Sequence, residues 1–306
     1  MDAVPLIDAQ TAAILGSVQK YTVQQHVKIF DNCVEQPNTY TIYNFETQQA
    51  LIRVEEQSEC CTRCFCAPDH SVVLQFNALD PAGNAMFPVI TMEREGCCSK
   101  PCLGGFVCMD CCANEAFIHA GSVVQADGKP GGAGKLPRDR VIGRAKVPIL
   151  GGGLTPTIQV MDRTPTADYE FARVQGPTLF GGCSELCCDQ PFAVKRVNKD
   201  GSLSVDVGNI ATITKKKPKT MMGAMREMLS DSDLYELEVH DPSVTPQQRA
   251  TLIGTMLMMD YMFFERDIDM CGIDGNNRCF INICNCYCMG QVCPCQINPS
   301  KIPLPI

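Results

Sequence analysis

The sequence predicts a mainly β protein, a sandwich or a closed barrel, with one long apolar helix near its C-terminus. Three observations carry this. Short runs with apolar residues at period two recur through the first two hundred positions. Gly, Pro, Asn and Asp interrupt them at short intervals. Helical spacing is scarce until MMGAMREML (221–229) and the apolar stretch that follows it. The 306 residues suffice for one large domain or two ordinary ones.

Taken in order, MDAVPLIDAQTAAIL lacks the basic start and continuous apolar core of a secretory signal, and Asp2 excludes N-myristoylation. In YTVQQHVKI, Tyr21, Val23, Val27 and Ile29 share a face, with Gln25 the exception. Ala50, Ile52 and Val54 align in ALIRVE, and Val72, Leu74 and Phe76 in SVVLQF. FPVITME, EAFIHAG, RVIGRAKV, PTIQVM, YEFARVQ and PFAVKRV are further strand candidates. VNKDGSLSVDVGNIATIT reads as a hairpin turned at Asp200-Gly201, followed by another strand. The glycine-rich segments 127–135 and Gly151–Gly153 read as loops. PQQRATLIGTMLMMDYMFFE is a helix with Thr245 as N-cap and Pro246 at N1. Residues 1–20 form an N-terminal segment and 267–306 a cysteine-rich tail with little periodicity.

The apolar run Ala250–Phe264 would span roughly 22 Å as a helix, short of the about 20 apolar residues that a bilayer core requires. It also holds Asp260, and a carboxylate in a lone span costs a few kcal/mol. No wide polar face is left on it, so it belongs inside a core. A formal charge of −8 argues against wholesale nucleic-acid binding, because phosphate neutralisation needs a basic field. The odd count of 21 cysteines and the missing signal argue against a fully paired extracellular framework.

Several blocks together resemble the phospholipid scramblases: ECCTR (59–63), MER (92–94) before a cysteine cluster, and Gly176-Pro177 before CSELCCDQPFAV. REMLSDSD (226–233) and IGTMLMMDYMFFE (253–265) complete the order, which extends from about residue 20 to 266. The resemblance implies a tubby-like fold over 21–266: a closed antiparallel barrel of twelve strands around a hydrophobic C-terminal helix, here 246–264. Members are also described as crossing the membrane once through this helix; its length and Asp260 favour the barrel. The implied activity is calcium-stimulated, ATP-independent, bidirectional movement of phospholipids between leaflets, from the cytosolic face of a membrane. The implied partners are phospholipids, preferentially anionic. The alternative is a tubby-like lipid-binding or protein-interaction module without transport, such as a zinc-stabilised structural subunit of a larger assembly.

The resemblance also places calcium on an acidic stretch before the last helix, here SDSDLYELEVHD (230–241). Asp231, Asp233, Glu236, Glu238 and Asp241 are its oxygen donors. An EF-like loop wants Gly at position six and a carboxylate at twelve, and Glu236 and Pro242 stand there instead. DIDMCGIDGNNR (267–278) begins like an EF-hand but has Cys271 at position five and Arg278 at twelve, where Glu is required, and GGAGKL fails as a phosphate loop at Lys129 and Leu136. Cys97, Cys98, Cys102, Cys108, Cys111 and Cys112 correspond to a palmitoylated run, and two or more acyl chains give stable anchoring. Their spacing alone favours zinc, with Cys61, Cys64, Cys108 and Cys111 as tetrahedral thiolates. The tail cysteines (Cys279, Cys284, Cys286, Cys288, Cys293, Cys295) have no family counterpart and offer the same two chemistries, or contact with another protein. Lys215, Lys216, Lys217 and Lys219 form a basic island suited to anionic headgroups, to import machinery or simply to solvent. The four histidines, His26, His70, His119 and His240, are scattered, and no bond-making catalytic constellation emerges.

Overall fold

The computed structural model describes residues 7–26, 37–57, 71–96, 113–123, 136–204, 208–218, 233–264, 271–273 and 279–298. The helix expected over 221–229 and the glycine-rich loop 127–135 lie outside them.

Helix α1 (Ala9–Gly16) leads into β1 (Lys20–His26), β2 (Thr39–Asn44), β3 (Ala50–Glu56), β4 (Val72–Leu79) and β5 (Ala85–Arg94). β6 (Glu115–Ala120), β7 (Val141–Lys146), β8 (Thr157–Arg163), β9 (Asp168–Gln175) and the short β10 (Leu179–Phe180) follow. After the single turn α2 (Ser184–Cys187) come β11 (Gln190–Arg196), β12 (Asn209–Lys215) and β13 (Leu234–Val239), then α3 (Pro246–Met259). Twelve of these strands close into a barrel in the order β1-β13-β12-β11-β9-β8-β7-β6-β5-β4-β3-β2, with every neighbour antiparallel. β1 makes the closure: Tyr21 lies opposite Leu237 on one side and Val23 opposite Ile42 on the other. Closure leaves no unpaired edge in the ring.

The expected period-two strands are there among the described residues, which leave out Val27 and Ile29, and their apolar faces turn inward. Tyr21 and Val23, Ile52 and Val54, and Val72, Leu74 and Phe76 are all buried. Gln25 shares the inward face and is buried too. The turn at Asp200-Gly201 is present, with Gly201 at φ +81° and a single bridge between Val197 and Leu203 in place of a full hairpin.

Helix α3 threads the ring. From Gln247 to Met259 every residue is buried, and the last turn continues as a π-helix over Asp260–Phe264. Each of Leu252, Ile253, Met256 and Leu257 gains about 1.5–3 kcal/mol from leaving water, as an upper range. The start has a full capping box: Gln248 N donates to Thr245 Oγ1 at 3.2 Å, and Thr245 N donates to Gln248 Oε1 at 3.1 Å. Pro246 occupies the first turn, where its missing N–H costs nothing. Gln247 Nε2 and Gln248 Nε2 both donate to Asp162 on β8, at 2.7 and 2.9 Å. Arg249 donates to the carbonyls of Val244, Leu15 and Val18, tying the helix to the end of α1.

Two glycines set the fit between helix and wall. A Cβ on Gly143 of β7 would lie 2.2 Å from Thr251 Oγ1 and 2.9 Å from the Met161 carbonyl; one on Gly254 would lie 2.7 Å from Ile118 Cγ1. Among the described residues no helix is long and apolar enough to cross a membrane.

Four findings go beyond the sequence reading. β2 lies in NTYTIYN, where no strand was expected, and α1 lies in the N-terminal segment. Within the acidic stretch, Leu234–Val239 is the wall strand β13. The C-terminal region carries β14 (Cys271–Ile273), β15 (Cys279–Cys288) and β16 (Gln291–Ile297), which join β10 in a second sheet, so this tail is docked to the barrel. Its attachment is a main-chain pairing, Phe180 opposite Asn285, that composition does not reveal. Gly143→Ala forces helix and wall apart, so chemical denaturation is expected to show a loss of about 1–3 kcal/mol.

Candidate functional site

The polar chemistry of the interior gathers at the C-terminal end of α3. In β12, Ala211, Ile213 and Lys215 share the inward face, so Lys215 is carried into the core with its side chain only 4% exposed. Lys215 Nζ lies 2.5 Å from Glu185 Oε2 on α2 and 2.8 Å from Asp233 Oδ2, just before β13. It also lies 4.2 Å from the centre of the Phe264 ring. Burial opposes its charge, but Asp233, Glu185 and Asp260 outweigh burial and hold its pKa above the ordinary lysine value.

Asp260 sits at the junction of the α-helix with its π-turn, a register change often found at functional positions. Tyr40 Oη donates to one carboxylate oxygen at 2.8 Å and Tyr235 Oη to the other at 2.5 Å. Burial first, then the Asp233 charge, push the Asp260 pKa up to about 7, against pulls from Lys215 and the two tyrosines. Beside this, Tyr261 Oη donates to Glu56 Oε2 at 3.0 Å, and Asn38 N donates to the same oxygen at 2.9 Å. The sidedness explains how an aspartate survives in an apolar helix: its charge is met by two phenols and, farther off, by an ammonium.

Outside the wall, the alternation of β13 sends Glu236 and Glu238 outward, where both meet Lys20 Nζ at 3.1 and 3.3 Å. Asp241, past the strand, pairs with Arg196 at 2.6 Å and accepts from Ser243 N at 2.8 Å. Its bonds with Ser243, and then Arg196, lower its pKa to about 2.

Of the five calcium candidates, Asp231 lies outside the described residues and the other four divide among three places. Asp233 is inside, Glu236 and Glu238 outside, Asp241 beyond the strand, and each is matched to a cation. Among the described residues no group of three or more His, Cys, Asp or Glu side chains is placed to hold a metal ion. Calcium wants six to eight converging oxygens, and these four carboxylates do not fit it.

The basic island divides as well. Lys215 is buried and cannot meet a headgroup, because the strand's alternation turns it inward. Lys216 bonds to Asp189, and Lys217 is exposed, its Nζ 3.2 Å from the Cys187 carbonyl; Lys219 lies outside the described residues. So do all the acylation and zinc candidates: Cys61, Cys64, Cys97, Cys98, Cys102, Cys108, Cys111 and Cys112. His119 is buried beside Glu93 (3.3 Å), also buried, which receives the half-exposed Arg138 at 2.6 Å. The residues missing from the sequence reading are Tyr40, Tyr235 and Glu185. Period two in TYTIYN and LYELEV would have turned both tyrosines inward.

The family model described as Scramblase matches residues 2–128 and 163–266, most of the chain. The chain belongs to the scramblase family. Curated relatives agree. Phospholipid scramblase 1 of Mus musculus is 25% identical over 258 residues, covering 82% of this chain and 63% of that protein. Phospholipid scramblase 1 of Homo sapiens is 25% identical over 253 residues, covering 82% and 64%. Phospholipid scramblase 2 of Bos taurus is 24% identical over 257 residues, covering 82% and 70%. This chain thus spans under two thirds of the length of the scramblase 1 proteins it matches. The scramblase match ends at residue 266 and leaves β14–β16 beyond it.

Two outcomes follow from the interior network. Lys215→Met strands Asp233 and Glu185 without their cation, and denaturation should show a loss of about 3–5 kcal/mol. Because the folded pKa of Asp260 lies above its ordinary 3.8, the folded state holds the extra proton between about pH 4 and 7. Its contribution is therefore full below that window and falls as pH rises through it, by an amount on the order of a few kcal/mol. Asp260→Asn should flatten this part of the stability–pH curve relative to the parent protein.

Proposed function

We propose that this protein promotes movement of phospholipids between the leaflets of a membrane, in both directions and without ATP, from a peripheral position on the cytosolic face. Membership of the scramblase family supports the reading, as do relatives named phospholipid scramblases. The observation that carries the peripheral position is the complete cover over α3. A helix already buried by its own barrel has no apolar face to offer to acyl chains. What remains for the membrane is the outer surface, where Lys216 and Lys217 stand outward. A lysine near an anionic surface contributes about 1 kcal/mol. Acyl chains on Cys97, Cys98, Cys102, Cys108, Cys111 or Cys112 would supply the durable anchor.

The same cover favours a second reading. Headgroup desolvation sets the barrier to crossing, so transport needs a polar path through hydrocarbon. A helix sealed inside a ring of strands provides none, which favours a lipid-binding or interaction module that leaves asymmetry intact.

Reconstitution into vesicles labelled in one leaflet separates the two. Loss of label asymmetry in the absence of ATP, in proportion to protein added, is the outcome expected here. Binding to anionic vesicles with asymmetry preserved would establish the module instead. Calcium stimulation belongs to the same proposal and is tested by adding calcium and then a chelator. Since Asp233, Glu236, Glu238 and Asp241 are matched to cations, their Asn or Gln variants are expected to alter stability and leave any calcium response unchanged.

A further inference from the structure

The C-terminal hairpin lies beyond the scramblase match, and its cysteines fall into register. β15 and β16 are joined by Met289 and Gly290, both with positive φ (48° and 87°). That is the backbone of a two-residue hairpin turn, which fixes the pairing of the strands it joins. The register sets Cys284 opposite Cys295 and Cys286 opposite Cys293. Side chains alternate along a strand, so these four thiols share one face of the ribbon. The opposite face carries Asn285 and Tyr287, which are buried. Tyr287 Oη donates to the Gly151 carbonyl at 2.9 Å, and its ring lies 6.0 Å from that of Phe263, capping the barrel at the end where α3 finishes. The thiol face looks outward: Cys284, Cys286 and Cys295 are partly exposed and Cys293 is exposed, all as free thiols. Cys295 makes side-chain hydrogen bonds with both Cys284 and Cys286.

Two chemistries suit clustered thiols, and geometry separates them. A tetrahedral zinc site needs four sulfurs about 2.3 Å from one point. Cysteines two apart on a strand start about 6.8 Å from each other, and a flat ribbon does not fold them over an ion. Among the described residues no such group is placed to hold a metal. A disulfide asks less: Cα atoms about 4.4–6.8 Å apart. Residues directly opposite in an antiparallel pair are about 4.5–5.5 Å apart.

We propose that Cys284 and Cys295 form a redox-reversible cross-strand disulfide that ties together the two strands of the C-terminal hairpin, whose other face caps the end of the barrel. The oxidant is a small-molecule disulfide of the glutathione type. One cysteine thiolate attacks it, forming a mixed disulfide and releasing one glutathione thiolate. The facing cysteine then attacks the protein sulfur of that mixed disulfide. The Cys284–Cys295 bond forms, the second glutathione thiolate leaves, and the two cysteine protons end on the two reduced glutathiones. Excess thiol runs the exchange backwards. Cys284 is preferred to Cys286 as partner because it is directly opposite Cys295, whereas Cys286 is diagonal to it. Burial and then the neighbouring thiols raise the pKa values of Cys286 and Cys295. Exchange proceeds through the thiolate, so closure quickens with pH.

The test uses the full chain, reduced, treated with glutathione disulfide and mapped by mass spectrometry without reduction. The expected product is a cross-linked peptide pair joining Cys284 to Cys295, two hydrogens lighter than the separate thiols. It should be reversed by a phosphine reductant, absent in Cys284→Ser and retained in Cys279→Ser, whose position faces Ile273. Amide exchange at Asn285 and Tyr287 should slow on oxidation in the parent protein and be unmoved by it in Cys284→Ser. The proposal is overturned if Cys284 and Cys295 remain alkylatable after oxidation, or if glutathione stays on either as a mixed disulfide. It is equally overturned if zinc copurifies with the reduced protein and is lost in Cys284→Ser, or if a hydroxylamine-sensitive acyl group occupies either cysteine.

Discussion

A helix that is apolar on every side has to be covered on every side, and the architecture of this protein follows from meeting that requirement with its own strands. Twelve antiparallel strands bring inward-facing side chains to α3 from all directions, and β1 joins the first and last parts of the chain so that the ring has no gap. Cover of this kind leaves only the two ends of the helix to be solved, and each is solved with buried polar groups. Asp162 receives Gln247 and Gln248 at the entry, and Tyr40 and Tyr235 hold Asp260 at the exit. Glycine at Gly143 and Gly254 lets the wall approach the helix more closely than any side chain would permit. The polar positions that make the segment a poor membrane span thus make it a good core.

The exit end concentrates charge as well as cover. Lys215 stands between Glu185 and Asp233 with Asp260 nearby, so a single ammonium serves several carboxyl groups within a sealed volume. Burial, and after it the neighbouring Asp233 charge, hold the proton of Asp260 well above the usual carboxylate range, and a protonated Asp260 lightens that imbalance. Phe263, Phe180 and Phe192 close over the same region, and Tyr287 of the C-terminal hairpin completes the lid. The segment beyond the family match is therefore joined physically to the end of the barrel that holds Lys215, Asp233 and Asp260.

Much of the fold was legible from alternation alone. Strands such as β3, β4 and β6 announce themselves because one face is apolar and the other is not, and the N-cap of α3 is written in Thr245, Pro246 and Gln248. β13 escaped because Glu236 and Glu238 drew attention to composition, although Tyr235, Leu237 and Val239 carry the period. Lys215 escaped for a related reason: a run of lysines reads as solvated, and only its phase with Ile213 shows that it turns inward. The long-range partners of Asp260 could not be read locally, since Tyr40 is 220 positions away in the chain. The hairpin register depends on a turn whose residues, Met289 and Gly290, are unremarkable in composition beside six cysteines.

The claim on which the account rests is that α3 is enclosed by protein and remains so at a membrane. Amide hydrogen exchange along residues 250–259, measured on the full chain in solution and again with phospholipid vesicles containing a hydrophobic photolabel, addresses it most directly. Enclosure predicts that these amides exchange only through global unfolding in both settings, with photolabel incorporated elsewhere in the chain. Photolabel recovered on Leu252, Met256 or Met259, with strand amides losing protection as vesicles are added, would contradict it.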